Sequence, residues 1–314
     1  MPGRDPAFGS VAAERRKSIT EALSSVVGRG YCRDMPSESA PPVPSFHENA
    51  IPDASRTTGD DPMAALVGIL DLQAALPGIR RMRAWGHEVL NVQPGERALD
   101  IGAGTGTEVI ELAGRVGPGG DAVGVDPNPA MIAIARGRAE SADCRARFVE
   151  GTAYQLPFPD DYFDAVRCER VYQHLDDPAA ATAEITRVLR PGGRVLLIDS
   201  DWHTVITHPG DPEVVARLTK AMLATTPNPA SGRRLRGLLT AAGFVIDDMG
   251  SEAVIWNPET ARPLFMQMIA SATTGGAITE VEGRDLLAIM EAGIEKGDYH
   301  LSVTMFAVLG HLGG

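Results

Sequence analysis

The chain has 314 residues, of which 44% are hydrophobic and 22% are charged, so it has room for one large α/β domain or two smaller domains. Its 41 acidic and 29 basic residues give a formal net charge of −12, which repels phosphate backbones and argues against a nucleic-acid partner. The three cysteines, Cys32, Cys144 and Cys168, have no short repeated spacing, so we predict neither a disulfide framework nor a metal site.

The first predicted elements lie before residue 96. Residues 1–60 are predicted to be an N-terminal extension and linker: Val11 to Val27 has the spacing of a short amphipathic helix, and Met35 to Gly59 is rich in Pro, Ser, Asp and Thr. Residues 61–95 have apolar residues at helical spacing. They are predicted to form two helices, separated by a break at Pro77–Gly78.

From residue 96 onwards, short apolar runs alternate with helical patterns. The predicted strands are 97–101, 122–126, 146–150, 163–167 and 194–199, with helices at 107–116, 130–139 and 178–189. Strands separated by single helices imply parallel pairing with right-handed crossovers. The less regular remainder predicts helices near 212–224 and 233–242, a strand at 245–256, helices near 259–272 and 279–295, and a last strand at 299–309.

A glycine-rich turn follows the first predicted strand. Asp100 ends the apolar run, and Gly102, Gly104 and Gly106 follow at alternate positions. Glycine lets the backbone turn sharply and approach a ligand, and the next helix points its N-terminal N–H groups into the same cleft. A dinucleotide-binding turn has its third glycine one position later, where Thr107 stands. An NAD(P)-dependent oxidoreductase and a plain tight turn stay as alternatives at this point.

A second carboxylate ends the next strand. Asp126 closes the run Val123-Gly124-Val125-Asp126, about 20 residues beyond the glycine turn. A carboxylate in this place can accept hydrogen bonds from both hydroxyls of an adenosine ribose. Alone it is an ordinary strand-end aspartate, whereas beside the glycine turn it indicates a nucleoside site.

These motifs resemble the class I S-adenosylmethionine-dependent methyltransferases, especially the branch of ubiquinone/menaquinone-biosynthesis and natural-product enzymes. The resemblance covers roughly Arg80 to Ser200 and rests on ALDIGAGTG, VGVDPNPAMIAIAR, EGTAYQLPFPDDYFDAV, RVYQHLDDP and EITRVLRPGGRVLLID. It implies a Rossmann-like α/β domain over 96–314, with a seven-stranded, mostly parallel sheet, helices on both faces and an antiparallel pair of final strands. We expect helices of 61–95 to cover the cofactor, and insertions at about 201–230 and 259–296 to form a helical lid over the acceptor.

The resemblance also implies roles for individual residues toward S-adenosylmethionine, whose product is S-adenosylhomocysteine. Asp100 and the backbone of the three glycines are expected to hold the methionine end, and Asp126 the ribose. Arg83 is expected either to pair with the cofactor carboxylate or to belong to a solvated basic face, which Arg80 shares. The other expected cofactor contacts are Met131 beneath the adenine, Thr152 and Ala153 at its edge, where many relatives have Asp in place of Thr152, and the backbone near Cys168.

The acceptor side has weaker signals. His174 and His203 are candidate general bases, since imidazole titrates near neutrality. A packing or capping role for His174 and a loop that closes the sheet for His203 are the alternatives. Tyr172 and Trp202 are candidate acceptor contacts.

The sequence therefore predicts methyl transfer to a small molecule in the cytoplasm, with no nucleic acid, membrane insertion or metal involved, and leaves a homodimer open. The alternatives are a protein that retains the cofactor for binding or cyclisation and, with a less suitable glycine spacing, the oxidoreductase.

Overall fold

The computed structural model describes residues 62–313, and the structural statements below concern that part of the chain. The predicted helix at Val11 to Val27 and the rest of the 1–60 extension lie outside it. The helices are α1 Pro62–Ala74, α2 Pro77–Leu90, α3 Thr107–Val116, α4 Pro129–Ser141, α5 Pro178–Val188, α6 Pro212–Thr225, α7 Ser231–Ala241, α8 Pro258–Thr274 and α9 Glu280–Lys296. The strands are β1 Arg97–Ile101, β2 Asp121–Asp126, β3 Arg147–Glu150, β4 Phe163–Glu169, β5 Leu189–His208, β6 Phe244–Ile255 and β7 His300–Leu312, and a 3-10 helix spans Tyr172–His174.

Within the described residues, four helices have an Asn or Asp cap that is followed directly by Pro. In each, the side-chain oxygen accepts hydrogen bonds from backbone N–H groups of the first turn, and Pro fits the next position because its missing N–H would have no partner there. These starts are Asn128–Pro129, Asp177–Pro178, Asp211–Pro212 and Asn257–Pro258. The recurring sequence pair therefore fixes where α4, α5, α6 and α8 begin.

The strands form one seven-stranded sheet in the order β3-β2-β1-β4-β5-β7-β6. The first five strands pair in parallel, and β7 pairs antiparallel with both β5 and β6. The predicted fold class is confirmed, including the antiparallel pairing of the final two strands. Since α8 and α9 connect β6 to β7, the pair is closed by a helical connection and not by a tight turn.

Helices cover both faces of this sheet. On one face α2, α3 and α4 bury residues such as Met82, Leu112 and Ile132 against the strands. On the other face α5 and α7 contribute Ile185 and Leu235 to a second apolar core. A third, smaller core lies among α6, α8 and α9 and consists of Leu218, Phe265, Met268, Ala272, Ile278, Leu286 and Met290.

The fifth strand is much longer than the sequence predicted. It was expected at 194–199, but β5 continues to His208, because β7 supplies backbone partners along most of this length. The pairing with β7 shifts register between Asp201 and Ile206. Trp202 and His203 therefore lie within an irregular part of the strand, and the prediction that the fifth strand ends before them is wrong.

The two N-terminal helices are separated by Ala75 and Leu76, two residues before the break that the sequence predicted at Pro77–Gly78. Pro77 begins α2 instead of separating the helices, which suits proline because the first helical N–H has no intrahelical acceptor. Within residues 62–313 no single helix has the length and apolar composition to cross a membrane; α1 and α2 satisfy those criteria only when taken together, with a bend of 73° between them.

Candidate active site

The turn after β1 lies against the carboxyl end of β2. The backbone N–H groups of Gly102 and Ala103 both donate to the carbonyl oxygen of Val125, over 2.8 and 2.9 Å. Gly104 has a φ of +49°, and a Cβ added there would meet nothing closer than the Gly102 carbonyl oxygen, 4.0 Å away. The backbone conformation thus favours glycine, and the space beside Gly104 is open to a ligand.

Asp126 closes this cleft from the second strand. Its Oδ2 accepts the backbone N–H of Gly104, and its Oδ1 accepts that of Asn128, both over 2.9 Å. Burial raises the pKa of Asp126, and the two backbone donors oppose that rise. Since a carboxylate offers about four acceptor positions, two remain for a ligand. The structure brings Asp126 and the glycine turn into direct contact.

A buried group of charged side chains, here called the ion cluster, joins α2, β1, α3 and β4. Its guanidinium groups each bind two or more carboxylates, and its members are Arg83, His87, Asp100, Glu108, Arg167 and Glu169. Arg167 contacts Asp100 over 3.0 Å and Glu108 over 3.1 Å, and it also binds Glu169. Arg83 contacts Glu108 over 3.1 Å and Glu169 over 2.9 Å, and His87 Nε2 lies 2.9 Å from Glu108 Oε2.

The ion cluster changes the predicted roles of two residues. Asp100 was expected to face the cofactor amine, but its carboxylate is buried against Arg167, and burial raises the pKa of Asp100 to about 6. Arg83 was expected to pair with the cofactor carboxylate or to lie on a solvated face. Its side chain is only 21% exposed and is bound by Glu108 and Glu169. Both side chains therefore have partners within the protein, and their contacts with the cofactor stay predictions.

The ion cluster stabilises the ionised form of Glu108. Burial alone would raise the pKa of Glu108, but Arg167, His87 and Arg83 outweigh burial and hold this pKa at about 2. The cluster contains three carboxylates and two guanidinium groups besides His87, so it suits a cationic group in the adjacent cleft better than an anionic one.

The residues predicted around the adenine follow β2 and β3. Met131, in the first turn of α4, and Ala153 are both buried, and Thr152 is half-buried. Cys168 is buried in β4, where burial raises the pKa of its thiol well above the ordinary value. The thiol is accordingly protonated, which suits a small packing residue and not a nucleophile.

The predicted acceptor contacts have different surroundings. The Tyr172 hydroxyl shares a 2.9 Å hydrogen bond with Thr182 Oγ1 of α5, and both side chains are buried. This hydroxyl is therefore occupied within the protein, contrary to its expected contact with an acceptor. Trp202 Nε1 donates to Gln173 Oε1 over 2.6 Å, and its ring lies edge-on to Trp256 with centroids 6.4 Å apart.

The two candidate bases also differ. His174 is half-buried at the end of the 3-10 helix, and its backbone N–H donates to the Val171 carbonyl oxygen over 2.8 Å. His203 is exposed on β5, and its backbone N–H donates to Asp201 Oδ1 over 3.1 Å. Of the two, His174 is the more enclosed by protein.

Sequence analysis missed Arg167, Glu108 and Asp199. Arg167 pairs in register with Asp100 on the neighbouring strand. Asp199 is fully buried at the end of the apolar run of β5, where burial raises its pKa to about 7, and it accepts the Gln173 N–H over 3.0 Å. The available signal was a charged residue inside an apolar strand, because a buried charge requires partners.

Comparisons with known proteins agree with this geometry. The family described as "Methyltransferase domain" matches residues 99–197. An uncharacterised 37.1 kDa protein from a transposon of Streptomyces fradiae is 38% identical over 182 residues, which are 57% of this chain and 52% of that protein. The demethylmenaquinone methyltransferase of Bacillus cereus is 33% identical over 140 residues, covering 43% of this chain and 59% of that enzyme. The chain thus spans between half and three-fifths of the length of these relatives.

Solved structures share the fold. The YcgJ protein of Bacillus subtilis superposes with a TM-score of 0.53 at 22% identity, covering 75% of this chain and 99% of that one. Phosphoethanolamine N-methyltransferase 2 of Haemonchus contortus, in complex with phosphomonomethylethanolamine and S-adenosylhomocysteine, has a TM-score of 0.50 at 20% identity and covers 81% of this chain and 57% of that one. The resemblance predicted from the motifs is confirmed.

Proposed function

We propose that this chain, which carries a class I S-adenosylmethionine-dependent methyltransferase domain, transfers the methyl group of S-adenosylmethionine to a small molecule. One observation carries the proposal: the backbone N–H of Gly104 donates to Asp126 Oδ2 over 2.9 Å. This bond holds the open glycine turn beside a strand-end carboxylate, which is the arrangement that a nucleoside bearing an amino-acid tail requires.

The residues of the cleft fit that cofactor. Asp126 retains two acceptor positions for the ribose hydroxyls, and Gly104 leaves space where any larger residue would place a Cβ. Met131 and Ala153 supply buried apolar surface for the adenine on the β2–β3 side. The excess of carboxylates in the ion cluster favours the cationic amine of the methionine end. The ion cluster acts on this amine through its electric field and not through a direct contact with Asp100, because Asp100 is bound by Arg167.

The chemistry needs little from the protein beyond placement. When bound, S-adenosylmethionine supplies an electrophilic methyl group on a sulfonium. The chain's own contribution is to align a nucleophilic atom in line with that group and to exclude water, and such alignment lowers the barrier by up to about 7–11 kcal/mol. Where the nucleophile must first lose a proton, His174 is the better candidate base, because it is half-buried while His203 is exposed.

We propose that the acceptor pocket lies beside the C-terminal part of β5. Trp202, held by Gln173 and packed on Trp256, gives that region an aromatic wall. The helices α6, α8 and α9 have an apolar core of their own, which allows them to act together as the proposed lid. The net charge of −12 repels the phosphate backbone of a nucleic acid, which favours a small molecule as the acceptor.

Isothermal titration with S-adenosylhomocysteine tests the cofactor site. The change Asp126→Ala removes a charged acceptor, and each hydrogen bond to such a group contributes about 1.5–3 kcal/mol. We therefore expect the affinity for S-adenosylhomocysteine to fall by about 10- to 100-fold. Asp121→Ala, at the other end of the same strand, is the matched control and should change the affinity by less than about twofold. Equal affinities for Asp126→Ala and the unchanged protein would reject the assignment of the ribose contact.

Turnover is tested separately from binding, which distinguishes an enzyme from a protein that only retains the cofactor. Transfer of a radiolabelled methyl group to a panel of small acceptors is the measurement, and His174→Ala is the informative variant. Loss of a general base lowers kcat by about 10²- to 10⁴-fold. If kcat for His174→Ala stays near that of the unchanged protein across the pH range, His174 has a packing role.

A further inference from the structure

A second arginine stands at the carboxyl end of β4, next to the ion cluster but outside it. Arg170 follows Glu169 directly and has a φ of +60°, a left-handed conformation that is unfavourable for a residue other than glycine. Its N–H donates to the Ile198 carbonyl oxygen over 2.8 Å, and its own carbonyl oxygen accepts from Gln173 Nε2 over 3.2 Å. The backbone of Arg170 is thus held on both sides in an unfavourable conformation, and such conformations are enriched at functional sites.

The guanidinium of Arg170 differs from the other basic side chains between residues 62 and 313. The Arg170 side chain is partly buried, and its guanidinium makes neither a hydrogen bond nor an ion pair within 4.0 Å to another described residue. The other basic side chains without such a partner in that range are exposed: Arg80, Arg145, Lys220, Arg234, Arg236 and Lys296. Removing a guanidinium from water without a partner costs free energy. An anion bound to Arg170 would offset this cost.

The carboxylates near Arg170 are occupied by other groups. Glu169 is bound by Arg83 and Arg167, and Asp199 accepts the backbone N–H groups of Gln173 and Ser200. Burial lowers the pKa of Arg170, and the attraction of Glu169 and Asp199 does not offset this effect. The local charges therefore leave Arg170 undercompensated.

Arg170 lies at the same edge of the sheet as the cofactor cleft but on its other side. The next residue, Val171, lies so close to the glycine turn that a Cβ on Gly102 would come within 2.2 Å of its Cγ2. The glycine turn itself is bonded to β2, through Val125, whereas Arg170 is bonded to β5, through Ile198. Since β2 and β5 flank β1 and β4 from opposite sides, Arg170 stands at the β5 side of this edge of the sheet, which the proposed function gives to the acceptor.

We propose that Arg170 binds a carboxylate of the acceptor, so that the substrates are small carboxylic acids. This inference rests on the proposed function and names the substrate class of the same site. A guanidinium presents two parallel N–H donors that match a carboxylate, and it stays charged at physiological pH. Binding the acid at this point fixes one end of the acceptor and so orients its nucleophile toward the cofactor cleft.

The test uses the full-length protein saturated with S-adenosylhomocysteine. Isothermal titration measures the affinities of 4-hydroxybenzoate, 3-(4-hydroxyphenyl)propanoate and hexanoate, each beside its primary amide. A charge-assisted pair contributes about 1.5–3 kcal/mol, so the unchanged protein should bind the acids about 10- to 100-fold more tightly than the amides. Arg170→Gln should remove this preference, and Arg170→Lys should retain part of it. Arg234→Gln, which changes an exposed unpaired arginine, is the control and should retain the full preference.

A second set of titrations identifies the source of the carboxylate. Arg170→Gln should leave the affinity for S-adenosylhomocysteine within about twofold. If that affinity instead falls about tenfold while the affinity for 5′-methylthioadenosine, which lacks the carboxylate, is unchanged, Arg170 holds the cofactor and the proposal for the acceptor is overturned.

The remaining outcomes also decide the matter. Binding the amides as tightly as the acids, or binding none of the six compounds, overturns the proposal while leaving the proposed function in place. A protein with no affinity for S-adenosylhomocysteine overturns the proposed function itself, and this is seen before any acid is added. A thermal melt of Arg170→Gln, measured by circular dichroism, separates loss of the fold from loss of binding.

Discussion

The parallel strands β1 to β4 and the helices α8 and α9, which connect the long strands β6 and β7, hold their charged side chains in opposite ways. The first four strands have 4 to 7 residues each, and the ion cluster is buried beside them. The last three have 20, 12 and 13 residues, and a typical ion pair of their helical connections, Arg262 with Glu291, lies at the surface. Arg167 is 2% exposed, whereas Arg262 is 42% exposed.

We interpret this difference through the proposed cofactor cleft. Buried charges cost free energy unless every member is paired, so they are a poor means of stabilising a protein by themselves. Their position beside the glycine turn and Asp126 gives them another use, since they set the electric field of the cleft. The helices α6, α8 and α9 pack around an apolar core of their own, and the ion pair between α8 and α9 lies at the surface.

The largest expected effect comes from removing one partner of the ion cluster. Arg167→Met keeps much of the side-chain volume but leaves Asp100, Glu108 and Glu169 with one guanidinium fewer. Breaking a buried ion pair in this way costs about 3–5 kcal/mol. Urea denaturation should show this loss in the free energy of unfolding.

The matched change in the other region is Arg262→Met. Its partner Glu291 is 39% exposed and returns to water when the pair is broken, so the expected loss is about 0–1 kcal/mol. If the two variants lose the same free energy of unfolding, the contrast between a buried and a solvated charge network does not hold in this protein.

The junction between the two regions makes a prediction about pH. Burial raises the pKa of Asp199 from 3.8 to about 7, so between these values the folded state binds a proton that the unfolded state has lost. The contribution of this group to stability is complete below about pH 4 and is lost as the pH rises through about 7. At about 1.36 kcal/mol per pKa unit, the loss amounts to roughly 4 kcal/mol.

Asp199→Asn cannot titrate and isolates this effect. The amide lowers the free energy of unfolding by a constant amount, because its NH₂ group faces one of the two backbone N–H groups that donate to Asp199. This penalty does not vary with pH. In urea denaturation, the free energy of unfolding of the variant should therefore rise relative to that of the unchanged protein as the pH increases from 4 to 7. Parallel stability curves for the two proteins would contradict a raised pKa at Asp199.

The sequence predicted the parallel part of the fold well, because local patterns determine it. The turn at Gly102 to Gly106 and the strand end at Asp126 lie in short segments whose chemistry is complete within about ten residues. β5 was predicted too short, because its extension depends on pairing with β7, about 100 residues further along the chain. The pairing of Asp100 with Arg167 likewise depends on strand register, which no local pattern reveals.

The last prediction compares two glycines in that turn, one confined by protein and one facing open space. At Gly102, with a φ of +75°, a Cβ would lie 2.2 Å from Val171 Cγ2. Gly102→Ala therefore combines backbone strain with overpacking and should cost about 2–4 kcal/mol in urea denaturation. Gly104→Ala meets no neighbour, so only the strain of its φ of +49° remains, about 1 kcal/mol.

Binding should show the opposite order. The methyl group of Gly104→Ala projects into the space that the cofactor is proposed to fill, so affinity for S-adenosylhomocysteine should fall by about tenfold or more despite the small loss of stability. The double change Gly102→Ala with Val171→Ala relieves the contact at the confined position and should recover part of the lost free energy of unfolding. If Gly104→Ala binds S-adenosylhomocysteine normally, the open space beside the turn is not where the ligand lies, and the parallel half of the sheet loses its assigned role.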